Sequence, residues 1–227
     1  PGSMANAGEG NTKVVFVANP NNPTSTWVKE AELRQFLQRV PQHVIVVLDE
    51  AYGEFMEHQD EPLVGWPNSV QLLQEFPNII ITRTFSKVYG LAALRVGYGI
   101  SHPAVADRMN RVRPPFNVNA LAQAAALAAF KDLAGLEACV EQNTKGLKQI
   151  FAGLDDLGLS YLPSQVNFIT FFIGDRDARS IFNSLLQRGV IVRPLANYEM
   201  PDALRVSVGT EEENQAFLTS LRDILSD

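Results

Sequence analysis

Apolar residues in the first half of the chain occur in short, β-branched runs. The runs span residues 14–18, 44–49, 78–84 and 96–100. They are mostly apolar instead of strictly alternating, which is typical of strands buried on both faces of a largely parallel sheet. Between the first two runs, Leu33, Phe36 and Leu37 recur at helical spacing. This half of the chain therefore predicts a strand–helix–strand crossover followed by further strands.

After residue 100 the apolar spacing becomes helical, and strands return only near the C-terminus. Helices are predicted at residues 103–112, 119–130 and 133–157. Beyond them the pattern predicts strands at residues 166–173, 190–194 and 204–208, and helices at residues 178–188 and 211–225. Thr210 and Glu213 form a capping box, which marks the start of the last helix.

These elements predict an α/β fold in which a three-layer, mostly parallel sheet core is joined to a smaller C-terminal α+β domain. We expect the large domain to span residues 13–150 and the small domain residues 151–227. Residues 1–12 are polar and rich in glycine, and the opening Pro1-Gly2-Ser3 is typical of a cleaved tag. We therefore expect residues 1–12 to be a disordered tag remnant.

Composition narrows the classes of function. Of the 227 residues, 46% are hydrophobic and 19% are charged, as in an ordinary soluble protein. The net charge of −6 argues against a nucleic-acid binder, and the lack of about 18 consecutive apolar residues argues against a membrane span. The single cysteine, Cys139, excludes an internal disulfide framework and fits a cytoplasmic location. The three histidines have no metal-ligand spacing, so no metal site is predicted.

The segment TFSKVYGLAALR, residues 84–95, has the densest candidate chemistry. Lys87 follows two hydroxyls, Thr84 and Ser86, and precedes Arg95 by eight residues. Hydroxyls and a guanidinium can bind a phosphate, and a lysine beside them can form an imine with an aldehyde. An isolated lysine is more often a solvated surface residue. The combination nevertheless suggests pyridoxal 5′-phosphate (PLP), a phosphorylated aldehyde cofactor.

Polar residues also follow the first two predicted strands. Asn22 comes after the first strand between two prolines, and Asp49 ends the second strand, with Tyr52 three residues later. Because ligands bind at the carboxyl ends of parallel strands, we expect these residues and Lys87 to line one crevice. Asp49 could pair with a protonated pyridine nitrogen, and Tyr52 and Asn22 could donate to a ring oxygen. The alternatives are a turn at Asn22, a helix-capping aspartate and a packed tyrosine.

Two arginines lie within predicted strands of the C-terminal domain. Arg205 lies in ALRVSVGT and Arg193 in VIVRP, each among apolar residues. A guanidinium in such a position needs an anionic partner, either a substrate carboxylate or an internal acid. Asn167 is a further substrate-binding candidate that could instead satisfy a strand edge.

The segments NPNNPTS, DEAYGEF, TFSKVYGLAALRVGYG and ALRVSVGT together resemble the fold-type I PLP-dependent aminotransferases. RVRPPFNVNALAQAAALAAF and LRVSVGTEEEN make the chain similar to the histidinol-phosphate aminotransferases of histidine biosynthesis, over residues 13–225. The resemblance implies that Lys87 binds PLP covalently and acts as the catalytic base. It also implies that further residues bind the cofactor's ring and phosphate, namely Asn22, Asp49, Tyr52, Thr84, Ser86 and Arg95.

The same resemblance implies the substrates and the assembly. Arg205 would bind the carboxylate of glutamate, and the amino group would be exchanged between histidinol phosphate and 2-oxoglutarate in a cytoplasmic homodimer. Members of that family have about 120 to 150 more residues before the NPNNPT motif, about the length of a domain, so we expect an N-terminal truncation. Two alternatives stay open: an aromatic amino acid aminotransferase, and a non-catalytic remnant of the fold that acts as a binding or assembly unit.

Overall fold

The computed structural model describes residue 4 and residues 10–59 and 63–226. They form two compact units. The first contains the described residues up to Pro20 together with Trp27–Glu137, and the second contains Asn21–Thr26 and the described residues from Ala138 onward. The tag remnant expected at residues 1–12 lies largely outside the described residues and stays a prediction.

A four-stranded sheet organises the first unit. Its strands are β1 (Val14–Ala18), β2 (Ile45–Asp49), β3 (Ile79–Thr84) and β4 (Gly97–Ser101). They lie in the order β1-β2-β3-β4. The first three strands are parallel, and β4 is antiparallel to β3. The predicted α/β class with a mostly parallel sheet is therefore confirmed.

Within the part of the chain that the structure describes, six helices accompany this sheet or lead out of it. They are α1 (Glu30–Arg39), α2 (Gly53–Glu57), α3 (Ser69–Leu72), α4 (Pro103–Val112), α5 (Ala120–Lys131) and α6 (Leu133–Asp156). In α1 the predicted apolar stripe of Leu33, Phe36 and Leu37 is buried. These side chains pack on one face of the sheet, against Val17, Val46, Leu48, Ile79 and Ile81. Burial of each such side chain stabilises the fold by about 1.5 to 3 kcal/mol.

The other face of the sheet is covered unevenly. On β1 the side chains of Val14 and Phe16 are 45% and 70% exposed. The prediction that all four strands are buried on both faces is therefore wrong for β1, because the described residues cover only one of its faces. Strand β4 approaches β3 closely at Gly97, where a Cβ atom would lie 2.6 Å from the carbonyl oxygen of Arg83. Only glycine fits such an approach without a shift of the backbone.

The second unit is built on a three-stranded antiparallel sheet. Its strands are β5 (Phe168–Phe172), β6 (Arg193–Pro194) and β7 (Ala203–Ser207), in the order β5-β7-β6. Two helices complete it, α7 (Ala178–Gln187) and α8 (Glu211–Ser226). The capping box at the start of α8 is confirmed, since Thr210 N donates to Glu213 Oε2 over 2.9 Å and Glu213 N donates to Thr210 Oγ1 over 3.3 Å.

The division between the units falls inside α6. From Leu147 onward this helix buries Ile150 and Leu154 in the core of the second unit, against Ile169 and Phe171 of β5. The C-terminal segment of the second unit starts at Ala138, whereas the sequence predicted a boundary after residue 150. The strand expected at residues 190–194 is shortened at its start to Arg193–Pro194.

Candidate active site

Strands β2 and β3 bring the first candidate residues to one edge of the sheet. Asp49 is paired in register with Thr82, and Thr84 lies two residues further along β3. Because side chains alternate along a strand, Asp49, Thr82 and Thr84 share the face opposite α1. Gly97 is the register partner of Thr84 and adds no side chain on that face.

The loop after β3 holds the lysine in a short, hydrogen-bonded turn. Gly90 N donates to the carbonyl oxygen of Lys87, and Leu91 N donates to that of Phe85, each over 2.9 Å. Phe85 and Val88 are buried and anchor the turn. Lys87 itself is only partly buried, and its Nζ lies 5.1 Å from the centroid of the Tyr52 ring. The amine is thus held over an aromatic face instead of extending into solvent.

Arg95 is fixed beside the hydroxyls that precede the lysine. Its backbone is left-handed, with φ of +51°, where it ends a short 3₁₀ turn. Its Nη1 donates to the carbonyl oxygen of Ala92 over 2.7 Å and to Ser86 Oγ over 3.3 Å. Ser86 N in turn donates to Thr84 Oγ1 over 3.1 Å. The guanidinium and the two hydroxyls therefore form one polar group.

These residues line a common cavity of about 360 Å³. The volume lies within the range of about 300 to 1,000 Å³ for small-molecule sites. Its lining consists of Asp49, Ala51, Thr82, Arg83, Thr84, Ser86, Lys87, Ala92 and Arg95. Five of the predicted site residues thus meet in one cavity that offers an amine, a carboxylate and phosphate-binding donors. This donor set fits PLP.

Arg83, on β3, pairs with one acid in the loop after β2 and one in α2, a role that the sequence interpretation missed. Its Nε and Nη2 donate to Glu50 Oε2 over 3.1 and 2.8 Å, and its Nη1 donates to Glu57 Oε2 over 2.7 Å. Ser69 Oγ donates to the other oxygen of Glu50. Burial lowers the pKa of Arg83, but the hydrogen bonds and charges of Glu57 and Glu50 outweigh it, and the net shift is upward. Arg83 is therefore a permanent internal cation.

Glu54 lies beside this cluster without a charge partner of its own. Its side chain is buried, and among the described residues neither carboxylate oxygen has a hydrogen-bond partner. Burial raises the pKa of Glu54 to about 7, against smaller opposing effects of its own backbone N–H and of the charge of Arg83. Near neutral pH, Glu54 is therefore divided between its protonated and charged forms.

The remaining candidates belong to the second unit. Arg205 Nη1 donates to Asn22 Oδ1, and its guanidinium carbon lies 5.1 Å from the centroid of the Phe168 ring. Arg193 is the register partner of Arg205 across β6 and β7. The backbone carbonyl oxygen of Asn167 accepts a hydrogen bond from Val208 N over 3.0 Å. The substrate role of Asn167 and the cofactor role of Asn22 stay predictions.

Arg193 and Arg205 line a second cavity, of about 610 Å³, within this unit. Its other lining residues are Arg179, Phe182, Ile191, Val192, Pro194, Ala196, Asn197 and Ser207. Arg179 was not predicted from the sequence. The available signal was a cation in the first turn of a helix, a position that the helix dipole makes unfavourable.

Two kinds of feature are absent from the described residues. No helix among them is both long and apolar enough to cross a membrane. Within the same part of the chain, no three histidine, cysteine, aspartate or glutamate side chains are grouped in a way that could hold a metal ion.

Comparisons with known proteins show the family of this chain. A family model described as aminotransferase class I and II matches residues 3–221. Histidinol-phosphate aminotransferase 2 of Pseudomonas fluorescens is 53% identical over 224 residues, which are 99% of this chain and 59% of that protein. Histidinol-phosphate aminotransferase 1 of Nitrosococcus oceani is 47% identical over 225 residues, again 99% and 59%. The chain therefore spans about 59% of the length of these curated relatives.

A solved structure extends the agreement to the fold. The histidinol-phosphate aminotransferase of Sinorhizobium meliloti, determined in complex with pyridoxal-5′-phosphate, superposes with a TM-score of 0.86 at 31% identity. The match covers 98% of this chain and 60% of that one. The predicted fold-type I architecture is thus confirmed, and the chain belongs to the family of class I and II aminotransferases.

Proposed function

We propose that this chain forms part of a PLP-dependent aminotransferase that exchanges an amino group between histidinol phosphate and 2-oxoglutarate. One observation carries the proposal: Lys87 and Asp49 line the same cavity as Thr84, Ser86 and Arg95. The names and identities of the relatives support the choice of histidinol phosphate. The role of 2-oxoglutarate, the cytoplasmic location and the homodimer rest on the family resemblance alone.

PLP would supply an aldehyde that captures amines and a ring that accepts electrons from the substrate's α-carbon. The Lys87 amine would bind that aldehyde and, once released, would move the proton at the substrate's α-carbon as a general base. Asp49 would hold the proton on the pyridine nitrogen by its negative charge. Arg95, Ser86 and Thr84 would bind the phosphate and so fix the position of the ring beside Lys87.

The second unit would provide recognition of anions. Arg205 is held in place by Asn22 and by the face of Phe168, so its guanidinium is oriented before any ligand arrives. Such an oriented guanidinium can bind a carboxylate by two parallel hydrogen bonds. We assign the carboxylate of glutamate to Arg205 and a second anionic group of the substrate to Arg193.

Capture of PLP by Lys87 tests the proposal directly. The purified chain, incubated with PLP and reduced with borohydride, should retain one cofactor per chain on the peptide that contains Lys87, as detected by mass spectrometry. Lys87→Ala should abolish this labelling, and the exposed Lys148→Ala should leave it unchanged. Labelling that is equal in wild type and Lys87→Ala would contradict the proposed role of Lys87.

A further inference from the structure

The cavity of the second unit concentrates positive charge. Arg179, Arg193 and Arg205 all line its volume of about 610 Å³, and no acidic side chain is among its lining residues. Among the described residues, neither Arg179 nor Arg193 has a side-chain hydrogen bond or an ion pair. Three cations around one concave surface without an internal counter-charge are suited to a ligand with more than one negative charge.

Strand register explains why Arg193 and Arg205 need such a ligand. Residues directly opposite each other in an antiparallel pair point their side chains to the same face, with Cα atoms about 4.5 to 5.5 Å apart. Like charges in this arrangement repel each other. Asn22 and Phe168 orient Arg205 from the side of β7, and Arg193 reaches the same cavity from the side of β6.

Arg179 approaches the cavity from a different element. It lies in the first turn of α7. The carboxylate of Asp177 caps this helix by accepting hydrogen bonds from Arg179 N over 3.1 Å and from Ser180 N over 3.2 Å. Phe182, one turn further along α7, lines the same cavity, so this face of the helix is directed at it. The Arg179 guanidinium is therefore placed opposite the strands that carry Arg193 and Arg205.

We propose that Arg179 is a specificity-determining residue that completes a three-arginine site for a phosphate monoester. The inference rests on the proposed function, since histidinol phosphate is the phosphate monoester concerned. A phosphate carries nearly two negative charges and three acceptor oxygens, whereas a carboxylate carries one charge and two oxygens. The third arginine therefore contributes more to the binding of the phosphate than to that of glutamate.

Calorimetric titration of the full chain, without PLP, tests the proposal. Arg179→Gln should weaken the binding of histidinol phosphate about three- to tenfold, and should change the binding of glutamate by less than about twofold. Arg179→Lys, which keeps the charge, should recover part of the loss. The exposed Arg176→Gln, three residues earlier in the chain and outside the cavity lining, should match wild type. All titrations use one ionic strength, because salt screens exposed charges.

Two results would overturn the proposal: equal affinities of Arg179→Gln and Arg176→Gln for histidinol phosphate, or an equal loss for histidinol phosphate and glutamate. Wild type that binds no histidinol phosphate in the titration would overturn it as well. PLP capture by the wild-type chain, measured separately, distinguishes a failure of this inference from a failure of the proposed function. Phosphate selectivity in a wild-type chain that captures no PLP on Lys87 would leave the arginine site standing and remove the aminotransferase.

Discussion

Arg83 in the first unit and the arginines of the second unit occupy opposite electrostatic surroundings. Arg83 is 11% exposed, and Glu50 and Glu57 satisfy its guanidinium. Arg179, Arg193 and Arg205 line an open cavity that has no acidic lining residue. In the first arrangement the counter-charges are internal, and these ion pairs hold the structure together. In the second arrangement no acidic side chain lines the cavity, so the three guanidinium groups are available to bind an anionic ligand.

The difference separates two uses of the same residue. A buried arginine whose counter-charges are internal contributes to stability, and its loss leaves buried carboxylates without compensation. An arginine whose counter-charge is absent contributes little to stability and much to binding. The role of each arginine here follows from where its counter-charge lies, and this assignment can be tested one position at a time.

The largest expected effect is at Arg83. Arg83→Met should lower the free energy of unfolding by about 3 to 5 kcal/mol, because Glu50 would remain buried beside Glu57 without a cation. Chemical denaturation measures the change. Arg111→Gln is the matched control, since Arg111 forms an exposed ion pair with Asp107 and should lose less than about 0.5 kcal/mol. Equal losses in the two variants would show that Arg83 does not have the structural role assigned to it.

The next largest effect on stability is expected at Glu54, a buried carboxyl to which Arg83 donates no hydrogen bond. Between pH 4.5, its reference pKa, and its folded pKa of about 7, the unfolded chain loses the proton while the folded chain keeps it. The folded state then binds more protons, so stability falls as pH rises through this window and stays lowered above it. The penalty at pH 8 is on the order of 2 to 3 kcal/mol.

Replacement by an uncharged isostere should remove that penalty. Glu54→Gln should be more stable than wild type at pH 8 and nearly equal to it at pH 4, as measured by urea denaturation at both values. Subtracting the two proteins cancels the other titrating groups. The exposed Glu137→Gln provides the control and should show no pH-dependent difference from wild type. A difference for Glu54→Gln that does not change with pH would rule out the titration.

The smallest expected effect on stability is at Arg205. Arg205→Met removes a hydrogen bond to Asn22 and a contact with the Phe168 ring, and should cost about 0.5 to 1.5 kcal/mol. Thermal unfolding compares it with Arg222→Gln, whose weak ion pair with Asp156 is 3.9 Å long and exposed. A loss at Arg205 as large as that at Arg83 would erase the distinction between the two kinds of arginine.

Local patterns predicted the elements well and the long-range contacts poorly. The strands follow continuous apolar runs, so β1 to β3 begin and end within a residue of their predicted bounds. Asp49 and Lys87 reach one cavity because each follows a parallel strand, a rule that needs no knowledge of partners. The hydrogen bonds from Arg83 to Glu50 could have been inferred only once Asp49 was known to pair with Thr82, since that register places Glu50 beside Arg83.

Other features depend on contacts between distant residues. Arg179 joins Arg193 only through the packing of α7 near β6, which no spacing within the sequence reveals. The same holds for the unit boundary, because the amphipathic pattern of α6 does not say which core its later turns enter. The exposed face of β1 likewise reflects what covers the sheet, and its apolar sequence carries no information on that cover.

The close approach of β4 to β3 at Gly97 also makes the loop that carries Lys87 sensitive to mutation of this glycine. Any substitution there would place a Cβ atom too close to the backbone of Arg83, one residue before Thr84. The resulting shift would displace both the Lys87 amine and the ion pair between Arg83 and Glu50. Random mutagenesis would therefore find position 97 intolerant although its own residue touches no ligand. A loss-of-function screen would then recover mutations at position 97, because the spacing between β3 and β4 sets the position of Lys87.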